Sequence, residues 1–124
     1  MSELPPFPRF NLAAFLIPPI WGPAHGQWAG AVFLPMWLFA DSIVGSAIDR
    51  GWPARLAAFG ALAVTLGLQA WFARNANPLA WRHDAGRLTP EQFLARERVW
   101  SIVSLPLAAA LLGWAVYYRL VLAA

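Results

Sequence analysis

Residues 56–73 read LAAFGALAVTLGLQAWFA, eighteen consecutive positions without a charge. A helix needs roughly 17–25 apolar residues to cross the hydrocarbon core of a bilayer. This stretch therefore predicts one membrane crossing. Outward from it, residues 99–118 and residues 10–40 are also free of Asp, Glu and Arg. The chain has 124 residues, of which 60% are hydrophobic and 12% charged. A soluble domain is about half apolar and a quarter charged, and one this small has too little interior to hide such an excess. The expected fold is an all-α membrane protein. It is a small bundle of about three transmembrane helices with a short N-terminal interfacial or re-entrant helix.

The stretch at residues 10–40 is the hardest to divide. As one helix it would be about 46 Å long, too long for one crossing and too short for two with a turn. Pro18-Pro19 and Gly22-Pro23 break it, because proline lacks an amide donor and clashes with the preceding turn. Asn11 suits the cap of a short helix over residues 10–17 that lies in the interface or dips into it. The first span then covers residues 27–48. The second covers 53–74, with Pro53 at a helix start where its missing donor costs nothing. Residues 75–98 are polar and predict a cytoplasmic loop followed by an amphipathic helix. Thr89-Pro90-Glu91-Gln92 is a capping box at that helix's start, and Phe93 and Trp100 share one of its sides. The third span is 99–119, all within a single domain, residues 1–124.

Orientation follows from the arginines, which make up all nine basic residues. Arg74, at the end of the second span, joins Arg82, Arg87, Arg96 and Arg98 on the side of the segment before the third; Arg50, and Arg55 at the start of the second span, lie on the side of its junction with the first. The positive-inside rule places the 75–98 segment and the N-terminus, with Arg9, in the cytoplasm of a bacterial cell with a multi-pass inner-membrane protein. Trp28, Trp52, Trp71 and Trp100 fall at span ends and Tyr117-Tyr118 close the last one, as an aromatic belt does. A net charge of +3 with arginines at the edges of apolar runs is a topology signal, and no nucleic-acid partner is expected. The absence of cysteine excludes disulfides and thiolate metal sites. The first eight residues hold no basic side chain, so a cleaved signal peptide is not expected.

Asp41 is the most costly residue to explain. A carboxylate within a span costs roughly 2.5–3.5 kcal/mol on insertion scales. Antiparallel alignment suggests Arg55 as its partner. The alternative is an oligomeric small transporter or channel component in which Asp41 works with Thr65 and Gln69, which share a face of the second span. Otherwise these two are interhelical hydrogen-bonding contacts. His25 stands at the Pro/Gly elbow. His83, Asp84 and Glu91 would form a metal or acid–base site only if their segment folded to suit, and a solvated loop is the plainer expectation. Ser42, Ser46, Ser101 and Ser104 have no evident base. No catalytic, cofactor-binding or metal-binding residue is expected, and the chain does not read as an enzyme. Small residues at four-residue spacing (Ser42 with Ser46, Ala63 with Gly67, Ala109 with Gly113) allow a homo-oligomer without requiring one.

The run Phe10-Asn11-Leu12-Ala13-Ala14-Phe15, followed by Pro18-Pro19 and Trp21-Gly22, resembles the opening of a family of small bacterial integral membrane proteins of unknown function. Leu12 stands where that family usually has tryptophan. Asn77-Pro78-Leu79-Ala80-Trp81-Arg82 is similar to a second motif of the family, as is the charged helix before a last span. The resemblance implies a membrane protein and no particular activity. It also marks Asn11, Trp21, Asn77, Trp81 and Trp100 as shared structure. With Arg82 these residues are expected to form a cytoplasmic-face platform on which the opening segment packs. Such a surface suits an interaction, accessory or scaffold role, with the lipid bilayer and a membrane or cytoplasmic protein as partners.

Overall fold

The structure is a computed structural model that describes residues 7–84 and 87–122. Helix α1 (Leu12–Leu16) and helix α2 (Pro18–Ala24) form the opening elbow. A 3-10 turn (Trp28–Val32) leads into α3 (Phe33–Ala47), and α4 (Trp52–His83) and α5 (Pro90–Tyr117) follow. A π turn (Tyr118–Leu122) continues α5. No strand occurs among the described residues. Among the described residues three segments are long and apolar enough to cross a membrane: Trp28–Ala47, Trp52–His83 and Pro90–Leu122. The protein is thus an all-α bundle with the build of a multi-pass membrane protein. Its exposed flanks carry side chains such as Phe39, Phe59, Val64 and Ile102, each at least 60% exposed. That distribution suits a lipid solvent.

Two local expectations hold in detail. The Asn11 side chain accepts from the Ala14 amide at 3.0 Å and caps α1. Thr89 and Gln92 exchange side-chain and backbone hydrogen bonds in a capping box at the start of α5.

Other boundaries differ from those expected. The helix expected over residues 10–17 is α1 alone, and the Pro/Gly elbow after it is itself helical as α2. The first span opens as a 3-10 turn before α3. The largest difference is at residues 75–98, expected to begin as a loop: α4 runs nine residues past Arg74, to His83. Pro78 withholds one helical hydrogen bond, but Ala73, Ala76, Asn77 and Ala80 form a buried stripe on that extension. Packing of this stripe holds the helix together through the proline. At about 1.5 Å per residue the 32-residue α4 is ~48 Å long, well beyond a ~30 Å hydrocarbon core. Its end and the start of α5 project together.

Helix α1 is the wedge of the fold. Ala13, Ala14 and Ile17 are fully buried, and the segment packs on both α4 and α5. Alanines on both sides (Ala13 and Ala14 against Ala73 and Ala76) permit that close approach. The Asn11 amide donates to the Ala73 carbonyl at 3.2 Å, tying the wedge to α4. Helix α2 meets the 3-10 turn through Gly22 and Gly30. A Cβ on Gly22 would lie 2.5 Å from the Gln27 carbonyl oxygen, and one on Gly30 the same distance from that of Pro18. Only glycine allows two backbones this near. Helices α3 and α4 pack side by side, whereas α5 is held chiefly through α1.

Candidate functional site

The core of the projecting end is built around a carboxylate. On α5, Phe93, Glu97 and Ser104 are buried and Trp100 is half-buried. Their spacing places them on one helical face. Glu97 therefore points where an apolar residue would be expected, into the junction of α1, α2 and α4. It is met there by donors from several elements. Glu97 Oε1 accepts from Asn11 Nδ2 at 2.9 Å and from Trp21 Nε1 at 2.8 Å. Its Oε2 lies 2.8 Å from His25 Nε2 and accepts from Arg96 Nε at 3.0 Å. A carboxylate offers about four lone-pair sites, and all four are engaged.

The surroundings hold each donor in place. Asn11 Nδ2 also donates to Asn77 Oδ1 at 2.8 Å, and Asn77 Nδ2 donates to the Pro8 carbonyl at 2.8 Å. His25 stacks on Trp21 with ring centroids 4.1 Å apart and meets Trp100 edge-on at 5.2 Å. Its Nδ1 lies 2.7 Å from the Trp21 carbonyl oxygen. A carbonyl only accepts, so Nδ1 carries a proton. The contact between Nε2 and Glu97 needs a second proton between them. Arg96 reaches further, to Asp84 Oδ2 at 2.5 Å, and its guanidinium stands over the Phe93 ring. A buried carboxylate so fully hydrogen-bonded is compensated for its loss of water.

The sequence-level candidates fall on both sides of this cluster. Asn11, Trp21 and Asn77 are in it, and Trp100 borders it. Trp81 packs edge-on against Phe7 and Phe93, with centroids at 5.3 and 5.7 Å. Arg82 is exposed. Of the loop trio, Asp84 pairs with Arg96, Glu91 is exposed, and the His83 ring lies against Gly26, which has a positive φ of 73°. Among the described residues no group of three His, Asp or Glu side chains is placed to hold a metal. Glu97 and Arg96, and the role of His25, escaped the sequence reading. Arg-Glu-Arg at 96–98 looks like a solvated charge run. The available signal was the period: Glu97 falls four residues after Phe93 and three before Trp100, on their apolar stripe.

The expected pairing of Asp41 with Arg55 is not what the structure shows. Asp41 pairs with Arg119 beyond α5, whose Nη2 donates to Asp41 Oδ2 at 2.6 Å and to the Asp41 carbonyl at 3.0 Å. Arg55 is exposed on the first turn of α4. Gly45 lies one turn after Asp41 on the same face of α3, and its missing side chain leaves the notch that the Arg119 guanidinium fills. Thr65 and Gln69 are buried on one face of α4, but they do not meet Asp41 by hydrogen bonds. Thr65 Oγ1 donates to its own helix at the Ala61 carbonyl, 2.8 Å away. Gln69 Nε2 donates to the Phe15 carbonyl at 2.7 Å, and its Oε1 accepts from Trp37 Nε1 at 2.8 Å. Gln69 thus makes the interhelical contacts of the plainer reading, whereas the Thr65 bond stays within α4. Of the small-residue pairs, Gly67 and Gly113 face open space.

The chain thus belongs to the class of all-α proteins with three candidate membrane-spanning helices. Compared with protein-family models, curated proteins and solved structures, it matches none.

Proposed function

We propose that the Glu97 end is a rigid, arginine-studded docking surface on the cytoplasmic side of a bacterial inner membrane, and that the protein acts through it as an accessory or scaffold subunit rather than as an enzyme. One observation carries this reading. The buried acid at that end is saturated by its own donors, while Arg9, Arg74, Arg82, Arg87 and Arg98 are exposed and, among the described residues, form no ion pair. Charge that is not used to hold the fold is free to meet an acidic partner surface. The excess of arginine at this end supports its cytoplasmic placement. The partner is a membrane or cytoplasmic protein that presents carboxylates near the bilayer.

The bacterial family suggested by the opening motif is proposed here on the same footing. Asn11, Trp21 and Asn77, which carry that resemblance, converge on one buried cluster. The transporter reading through Asp41 has no comparable support, since Asp41, Thr65 and Gln69 are all engaged in contacts of their own.

Native gel electrophoresis of membranes solubilised in mild detergent tests the proposal. The expected result is a complex larger than the lone chain, lost in Arg82→Glu/Arg87→Glu and weakened by salt. Arg50→Glu/Arg55→Glu, at the opposite end, should leave it intact. Migration as a lone chain at low salt would sink the proposal, as would equal loss from reversal at either end.

A further inference from the structure

We propose that the cleft between α5 and the α3–α4 pair binds one phospholipid whose head carries both a phosphodiester and a primary ammonium. The inference is independent of the docking surface above, which lies at the other end of the bundle.

The cleft exists because α5 is held by the α1 wedge and stands off from α3 and α4 beyond it. Leu16 of α1 forms its floor. Its walls are apolar, with Leu62 and Leu66 on α4 facing Leu111, Leu112 and Val116 on α5. Its volume is about 480 Å³, within the roughly 300–1,000 Å³ of small-molecule sites. A cleft of this lining at membrane depth offers water almost nothing to hydrogen-bond. The polar groups near its floor are already satisfied: Gln69 by Trp37 and Phe15, Thr65 by Ala61. An acyl chain fits that description.

The mouth of the cleft selects the head. Asp41 and Arg119 both line it. Arg119 spends Nη2 on Asp41, but a guanidinium has five N–H donors. Among the described residues Nη1 makes no hydrogen bond, and Nε is a buried side-chain donor without a partner. An unsatisfied buried donor on a cation calls for an acceptor, and phosphate is the acceptor that guanidinium geometry fits. Asp41 engages Arg119 through Oδ2 only, and its side chain is half exposed. Oδ1 is thus open to a donor. The pair therefore presents a positive and a negative group side by side. A head with phosphate and –NH₃⁺ complements both. A glycerol head offers no cation to Asp41, and a choline head has no N–H to donate.

Native mass spectrometry of the detergent-purified chain tests this. The chain is mixed with equal amounts of phosphatidylethanolamine, phosphatidylglycerol and phosphatidylcholine of identical acyl chains. The expected result is one retained lipid, with phosphatidylethanolamine several-fold over the other two. Asp41→Asn should erase the preference over phosphatidylglycerol while leaving a lipid bound. Ala115→Trp, which fills the cleft, should abolish retention, and Leu62→Trp repeats that test from the facing wall. Equal retention of the three lipids, a preference for phosphatidylglycerol, or an unchanged preference in Asp41→Asn would each overturn the proposal. So would full retention in both cleft-filling variants.

Discussion

The indole nitrogen of Trp21 donates to Glu97 Oε1 at 2.8 Å, across 76 positions of sequence. This bond and its neighbours join the opening segment to the last helix. Removing the acid leaves Trp21, Asn11, His25 and Arg96 without their shared acceptor in a buried site. Glu97→Ala should cost about 3–5 kcal/mol, as breaking a buried ion pair does. Glu97→Gln keeps the volume but turns an amide NH₂ toward donors, and should cost less than Glu97→Ala. Denaturant unfolding in detergent micelles measures both, and a loss for Glu97→Ala no larger than that of an exposed control, Glu91→Ala, would refute the placement.

Asn11 and Asn77 are hydrogen-bonded side chains from α1's cap and α4. Asn11→Ala and Asn77→Ala should therefore be non-additive, with an interaction energy of roughly 0.5–3 kcal/mol. A double-mutant cycle on the same unfolding assay reads it directly. Strict additivity would separate the two residues.

The glycines divide into two groups that predict opposite signs. Gly22→Ala and Gly30→Ala each press a Cβ against a backbone carbonyl and should destabilise by about 1–3 kcal/mol, as overpacking does. Gly60 and Gly67 lie in α4 with open space before them. Alanine there should stabilise the helix by up to ~1 kcal/mol. Melting temperatures of the four single variants test the contrast. Destabilisation at Gly67 would point instead to a partner helix on that face.

With no native cysteine, single cysteines report sidedness cleanly. Cysteines replacing Arg9 and Arg87 should share one side of the membrane, and those replacing Gly51 and Leu122 the other. The positive-inside rule assigns the first pair to the cytoplasm. An impermeant maleimide on intact cells should thus label only the second pair. Labelling of position 9 together with 51 would mean that the opening elbow crosses the bilayer.

What could be read from the sequence was what is local or compositional. The Asn11 cap and the Thr89–Gln92 box each lie within a few residues, where side chain and amide must meet. The candidate spans announce themselves because crossing lipid demands long apolar runs. The extension of α4 past Arg74 was hidden: Pro78 and the polar residues around it read as a helix end, and only the burial of Ala73, Ala76 and Ala80 in the core reverses that. The Asp41–Arg119 pair was missed because depth along antiparallel helices suggested Arg55, while the flexible arginine beyond α5 and the notch at Gly45 decide the matter. Glu97 was hidden by its neighbours. Arg96 and Arg98 on either side suggested a wet surface, yet one of those arginines turns inward to it.

The α1 wedge also sets an order of assembly. Its residues leave the ribosome before the partners that hold it, since Asn77 and Glu97 lie 66 and 86 positions after Asn11. Until α5 is made, Asn11, Trp21 and His25 have no carboxylate to meet. The docking of the opening segment is therefore completed only once α5 is in place, as a latch closes on its catch. A nascent chain stopped after α4 carries every part of that latch except its catch, and it is recognisably unfinished by that vacancy alone.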